Sequence, residues 1–287
     1  MTIHQEGVIS LKRITSLGAW LAMSVMLPLS GYATDSVVTM NDGGSTATID
    51  LSSSAGMNNW SVLGQNQLNQ QWFWYRTDNG VAAPIDSIGG LTYTTSTGSD
   101  GINVVDATYQ NAQLSIEIQY ILSGGGVGSG NADLTETIMA VNKNSSSSLD
   151  LNFYEYSNFN LLQSGNNSVT VFGAPGAYSY VTQTSGSTAL SEAIISPSAN
   201  YAEAASFNTT LNELNTQAGL VLNGNASAGP GNVTWAFQWD QTIAAGGQLD
   251  IFKDKSLSIS MIPEPSTLAF IALGTGLLGL AMRRKLA

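Results

Sequence analysis

Carboxylates and aromatic rings are the residues through which the main body of this 287-residue chain could act on another molecule, because it holds neither cysteine nor histidine. There is no cysteine, which removes thiol catalysis, thiolate metal sites and disulfides together. The one histidine, His4, stands near the N-terminus, ahead of an apolar stretch. A chain matured beyond that stretch has no Ser-His-Asp triad and no histidine metal ligand. Acid–base work then falls to carboxylates, tyrosines and a few lysines. Two carboxylates across a cleft, about 5–9.5 Å apart, are enough to hydrolyse a glycosidic bond. Glu117, Glu136 and Glu155 stand in segments that read as neighbouring strands. On outward strand faces they are solvated carboxylates without a catalytic role, so the catalytic set is read as empty. Glu155 differs because period-2 alternation puts it on one face with Leu149, Leu151 and Phe153.

Two aromatic clusters offer binding rather than catalysis. Alternation sets Trp72 beside Trp74 in Trp72-Phe73-Trp74-Tyr75, and Trp235, Phe237 and Trp239 on one face of a second segment. Exposed rings of this kind stack on the CH faces of sugars; the same rings in a core strand fill the interior. A core strand is the leading reading for both clusters; consecutive aromatics cover both faces of a strand, so Trp72 and Trp74 are the better placed of the two to meet solvent as a glycan platform. Asn41-Asp42-Gly43-Gly44 and Ser99-Asp100-Gly101 offer hard oxygen ligands, yet lack the spaced carboxylates of a calcium loop and read as turns. No metal site and no cofactor motif is expected.

The elements that position these residues are strands. In Leu114-Ser115-Ile116-Glu117-Ile118-Gln119-Tyr120 apolar and polar side chains alternate, the signature of a half-buried strand. Segments 135–141 and 149–156 repeat it and flank Asn142-Lys143-Asn144 with four serines, which predicts a hairpin. Segments 169–172, 233–239 and 249–252 add strands, with Ala244-Ala245-Gly246-Gly247 turning the last pair. Ser123 to Gly130 is a glycine-rich loop without the following helix of a phosphate cradle. Helix signals are sparse: a turn or two over Leu190–Ile194, and Leu211, Leu214 and Ala218 at helical spacing behind Thr210 as a cap. Ten or more short strands with polar turns predict an all-β fold, a single β-sandwich-like ectodomain over 34–261 with few short helices.

Charge limits the partners. Residues 34–262 carry Arg76, Lys143, Lys253 and Lys255 against 18 acidic residues. Such a field repels phosphate backbones and excludes nucleic acid as a partner, leaving cations or neutral polymers such as polysaccharide.

Both termini read as addresses. Lys12-Arg13, an apolar stretch over 14–29 and Gly31-Tyr32-Ala33 have the order of a signal peptide, 1–33, with cleavage after Ala33. At the other end stand Pro263-Glu264-Pro265, an apolar run over 268–282, and Arg283-Arg284-Lys285. Fifteen residues rise about 22 Å as a helix, short of the roughly 30 Å hydrocarbon core. The basic triplet sets orientation, holding itself in the cytoplasm as a stop signal and leaving the preceding domain outside. The tripartite tail, 262–287, resembles the PEP-CTERM sorting signal. That resemblance implies recognition by an exosortase in a Gram-negative, polysaccharide-producing cell. It also implies transient residence in the inner membrane, then release or transfer to the cell surface or extracellular space. With the missing catalytic side chains, the expectation is a non-catalytic surface or matrix protein; the alternative is a carbohydrate-binding or carbohydrate-active sandwich. Retention of the tail as a permanent anchor is a third outcome.

Overall fold

A computed structural model describes residues 36–260. Ala33, Pro263, Glu264, Pro265, the apolar run 268–282 and the triplet Arg283, Arg284 and Lys285 lie outside the described residues. The chain begins with β1 (Val37–Asp42), β2 (Ser45–Asp50), β3 (Gly56–Val62), a two-residue β4 (Gln65–Asn66), β5 (Leu68–Arg76) and β6 (Ala83–Pro84). A 3-10 turn over Ile85–Ile88 leads to β7 (Thr92–Thr97), β8 (Ile102–Gln110), β9 (Leu114–Gly124) and β10 (Asn131–Asn142). Then come β11 (Leu149–Phe159), β12 (Asn167–Phe172), β13 (Tyr180–Ser185), β14 (Thr188–Ser196) and β15 (Tyr201–Ser206). The helix α1 (Thr209–Thr216) precedes β16 (Ser227–Gly231), β17 (Val233–Ile243) and β18 (Gln248–Ile259).

These strands form two nine-stranded sheets, the first ordered β1-β2-β3-β5-β11-β17-β15 with β4 and β6 on its margins, the second β16-β12-β13-β14-β18-β10-β9-β8-β7. Pairing is antiparallel except for a short parallel β3–β5 contact. The all-β expectation therefore holds, as a layered sandwich. Alternation drives the second sheet: Ile116, Ile118 and Tyr120 of β9, Leu134 and Ile138 of β10, and Ile251 and Leu257 of β18 are buried, while the residues between them are more exposed. The first sheet answers with Phe73 stacked on Phe153 at 5.5 Å and Phe159 stacked on Trp235 at 5.3 Å.

Two expected hairpins are inter-sheet crossings instead. β10 pairs with β9 and β18 in the second sheet, whereas β11 pairs with β5 and β17 in the first. β17 and β18 likewise belong to opposite sheets. A short polar loop reads the same whether it turns a chain within one sheet or carries it across the core. The two crossings lie side by side and share Asn142, which is 1% exposed. Its Nδ2 donates to the carbonyls of Ser147, Ile243 and Ala244 at 2.8, 3.2 and 3.1 Å. Its backbone N–H donates to Gly247 O at 3.0 Å. Replacing Asn142 by Ala leaves these carbonyls without their shared donor. The expected loss is about 1–3 kcal/mol in chemical unfolding, without change in the secondary structure seen by circular dichroism.

The helical turn expected over Leu190–Ile194 is a strand, β14, in which Leu190 and Ile194 face the core across two periods. The helix near Leu211 and Leu214 is present as α1; Ala218 lies beyond it and bridges Val81. Its cap position is Asn208, and Thr210 is buried inside the helix, donating its hydroxyl to Glu203 at 2.9 Å.

Candidate functional site

Register brings five charged side chains to the centre of the sandwich. On the inner face of the second sheet, Glu136 of β10 lies opposite Lys253 of β18, and Lys255 of β18 opposite Glu192 of β14. Glu155 comes from β11 of the facing sheet. All five side chains are 0% exposed. Lys253 Nζ lies 2.5 Å from Glu136 Oε2, 2.6 Å from Glu155 Oε2 and 3.3 Å from Glu192 Oε1. Lys255 Nζ reaches the same three carboxylates at 2.5, 2.8 and 3.5 Å. Rings and an amide close the cluster. The Phe73 ring centroid is 4.9 Å from Lys253 Nζ. Gln71 Nε2 donates to Glu155 Oε1 at 3.4 Å, and Trp235 Nε1 to Glu192 Oε2 at 3.3 Å.

Carboxylate oxygens of Glu136, Glu155 and Glu192 within 4.8 Å of one another would suit a divalent cation. Here the two ammonium groups stand among them and supply the positive charge. Three carboxylates against two ammoniums leave one negative charge in a buried site, a costly state unless one carboxyl keeps its proton. Glu192 is the group placed to do so, being farthest from both ammoniums. Burial first, then the charge of Glu155, raises its pKa to about 8 despite the lysines. Burial alone would raise Glu155 as well, but Lys253 and Lys255 outweigh it and hold that carboxyl at about 2. Lys255 is held protonated: burial opposes its charge, and the three glutamates overcome that and raise its pKa.

This arrangement is an ionic staple between sheets. Catalysis needs a route for substrate and water, and none of its five side chains is accessible. Of the carboxylates expected on outward faces, only Glu117 is outward-directed, half-buried in β9. Glu136 and Glu155 do meet, but inside the core.

Trp72 and Trp74 are 0% and 1% exposed, so the expected platform is absent at that place. Register puts both on the face of the first sheet opposite to Glu155, with Tyr154 and Tyr156. That face is itself covered, by the 3-10 turn, α1 and the segment 217–226. Trp72 Nε1 donates to Asp86 at 2.9 Å, and Trp74 Nε1 to Asn215 at 3.1 Å. Arg76 donates to Tyr154 Oη and to Leu220 O at 2.9 and 3.0 Å. A strand covered on both faces carries apolar side chains on both, and here the run of four rings supplies them.

The two turns weighed for calcium serve the backbone. Asp42 Oδ2 accepts from Gly124 N–H at 2.7 Å, and Asp100 Oδ2 from Gly43 N–H at 2.9 Å. Gly124 approaches so closely that a Cβ there would lie 1.7 Å from the Asp42 carbonyl oxygen. This close approach explains glycine at the start of the loop that joins β9 to β10. A surface depression of about 300 Å³ at the end of β11 and β17 is lined by Asp150, Asn152, Asp240 and Thr242 among others. Its carboxylates are engaged locally: Asp150 accepts from Thr242 at 2.6 Å, and Asp240 from Asn152 and Gln238.

Residues 262–285 match the family model of the PEP-CTERM protein-sorting motif, in agreement with the reading of the tail. The motif implies an exported precursor sorted by an exosortase. Comparison with curated proteins yields no match. Among solved structures, the chain is similar to a bacterial glucoamylase complexed with acarbose, with 12% identity and a TM-score of 0.54, over 83% of this chain and 34% of that one. A polysaccharide lyase aligns with 11% identity and a TM-score of 0.45, over 77% and 33% of the two chains. The chain thus spans about a third of the length of these proteins, and at 12% identity the likeness to the glucoamylase is one of fold alone.

Proposed function

We propose that the chain is a non-catalytic cell-surface or matrix protein whose sandwich serves as a structural or binding module, delivered by its sorting tail. The observation that carries this reading is where the cations and the acid cluster lie. Lys253 and Lys255 are sealed with three glutamates, Arg76 is buried against Tyr154, and Lys143 is the one exposed basic residue among those described. What the domain presents outward is an acidic, hydroxyl- and amide-rich surface suited to contact rather than turnover. Residues 1–33 act as the signal peptide, and 268–282 hold the precursor in the inner membrane before processing near Pro263-Glu264-Pro265.

Mass spectrometry of the protein from its native host tests the sorting step. The expected product begins after Ala33 and lacks Arg283-Arg284-Lys285. An uncut chain recovered from the cytosol overturns the reading, and an intact basic end in the membrane fraction makes the tail a permanent anchor. Turnover of a glycan, ester or peptide by the purified protein would overturn its non-catalytic part.

A further inference from the structure

The outer face of the second sheet carries a row of rings that the aromatic clusters of the sequence do not reveal. Phe172 of β12 lies opposite Tyr180 of β13, which lies opposite Ala193 of β14, which lies opposite Asp254 of β18. Two residues from Asp254 on the same face, Phe252 lies opposite Thr137 of β10. A bulge between Ile194 and Ser196 turns Ile195 outward beside Phe252. The inner face of these same strands holds Val171, Val181, Ile194 and Lys253, so the outward set is fixed by alternation. Phe172 is 47% exposed, Tyr180 38%, Ile195 67% and Phe252 43%. The first two rings already touch, with centroids 5.7 Å apart.

Large apolar side chains grouped on a solvent face mark a contact surface. We infer that this face is a binding site for an uncharged hexopyranose polymer. The inference rests on the proposed binding role and names its ligand class. Across the face, chemistry grades from rings to hydrogen-bonding groups: Thr137 adjoins Phe252, and Thr135 donates to Asp254 at 2.9 Å. A pyranose matches that gradient, with one CH face for the rings and hydroxyls for the threonines and the carboxylate. Neighbouring strands lie about 4.8 Å apart, so Tyr180 and Phe252, two strands removed, are separated by roughly 10 Å across the sheet, the scale of a disaccharide repeat. Charge selects among polymers. The acidic surplus of residues 34–262 repels uronic or sulfated chains and a second copy of the protein alike.

Affinity electrophoresis of the full chain in mild detergent, in gels containing dextran, a mixed-linkage β-glucan or galactomannan, with alginate as the anionic control, tests the site. At least one uncharged polymer should retard the protein. Phe172→Ala with Tyr180→Ala, and separately Phe252→Ala, should weaken that retardation at least tenfold while the thermal midpoint stays unchanged. Several results would overturn the inference: no retardation by any uncharged polymer, retardation by alginate alone, or equal retardation of the variants. Sedimentation of the native chain as a dimer that these substitutions dissolve would do the same, assigning the rings to self-association. Export and tail processing of the variants are read independently by mass spectrometry, so a failed glycan site is distinguishable from a failed sorting reading.

Discussion

Replacing Lys253 with Met is expected to be the most damaging single substitution in the sandwich, costing about 3–5 kcal/mol. Lys253 contacts all three glutamates of the cluster, and its removal leaves them one ammonium. Neutrality would then need two protonated carboxyls in place of one, and Glu155, held near 2 by the lysines, is the least disposed of the shifted pair to accept a proton. For a domain of this size the loss corresponds to a fall of roughly 10 °C in the thermal midpoint. Unfolding followed by fluorescence of the buried tryptophans measures it. The charge count also predicts an asymmetry between acids and bases. Glu136→Gln removes one carboxylate, and Glu192 can answer by releasing its proton, so the cluster stays neutral. No comparable response exists for a lost lysine. The double variant Lys253→Met with Glu136→Gln should therefore recover part of the loss, a coupling of at least 1 kcal/mol in a double-mutant cycle, on the order found for contacting charges. Strict additivity of the two changes would show that the five groups do not act as a unit.

How much of this was legible beforehand depends on which physical signal each feature leaves. Period-2 alternation marks one strand at a time, so β9, β10, β11, β12, β17 and β18 were readable, and with them the all-β class. Which sheet each strand joins is decided by pairing, and nothing local in Lys143–Ser148 or Ala244–Gly247 separates a hairpin from a crossing. The aromatic clusters leave core and platform both open for a related reason. Rings on both faces of β5 are consistent with one wet face or with a covered sheet, and the covering comes from residues 85–88, past the end of the strand, and from 209–226, remote in sequence. Phe172, Tyr180 and Phe252, each alone in its own strand, form a group only after β12, β13, β14 and β18 are aligned.

The ionic cluster left a clearer trace. Glu155 stood out because its own face is apolar. The same test applies to Glu136 between Leu134 and Ile138, to Glu192 between Leu190 and Ile194, and to Lys253 and Lys255 between Ile251 and Leu257. Each is a charge on the buried side of a strand, and a buried charge needs a partner. Taken together they announce a mixed cluster. The strand order is still required to show that β18 lies between β10 and β14, with β11 facing them.

The cluster should also leave its mark on the pH dependence of stability, in two limbs of opposite slope. Glu155 is lowered in the folded chain from 4.5 to about 2. Its contribution is present above pH 4.5 and is lost as pH falls toward 2, because the unfolded chain then binds the proton first. Glu192 is raised from 4.5 to about 8. Its contribution is complete below pH 4.5 and is lost progressively as pH rises to 8, since folding over that range must take up a proton. These two groups alone place the optimum on the mildly acidic side, with a decline of a few kcal/mol between there and pH 8. Glu192→Gln isolates the second limb. The amide keeps the size and hydrogen-bonding reach of the protonated acid and has no proton to take up, so the alkaline decline should flatten. At pH 7–8 the variant should equal or exceed the native chain in urea unfolding, while at pH 4 the two should converge. A variant that is less stable at pH 8 than the native chain would mean that Glu192 is ionised in the fold and that the interior carries a net negative charge.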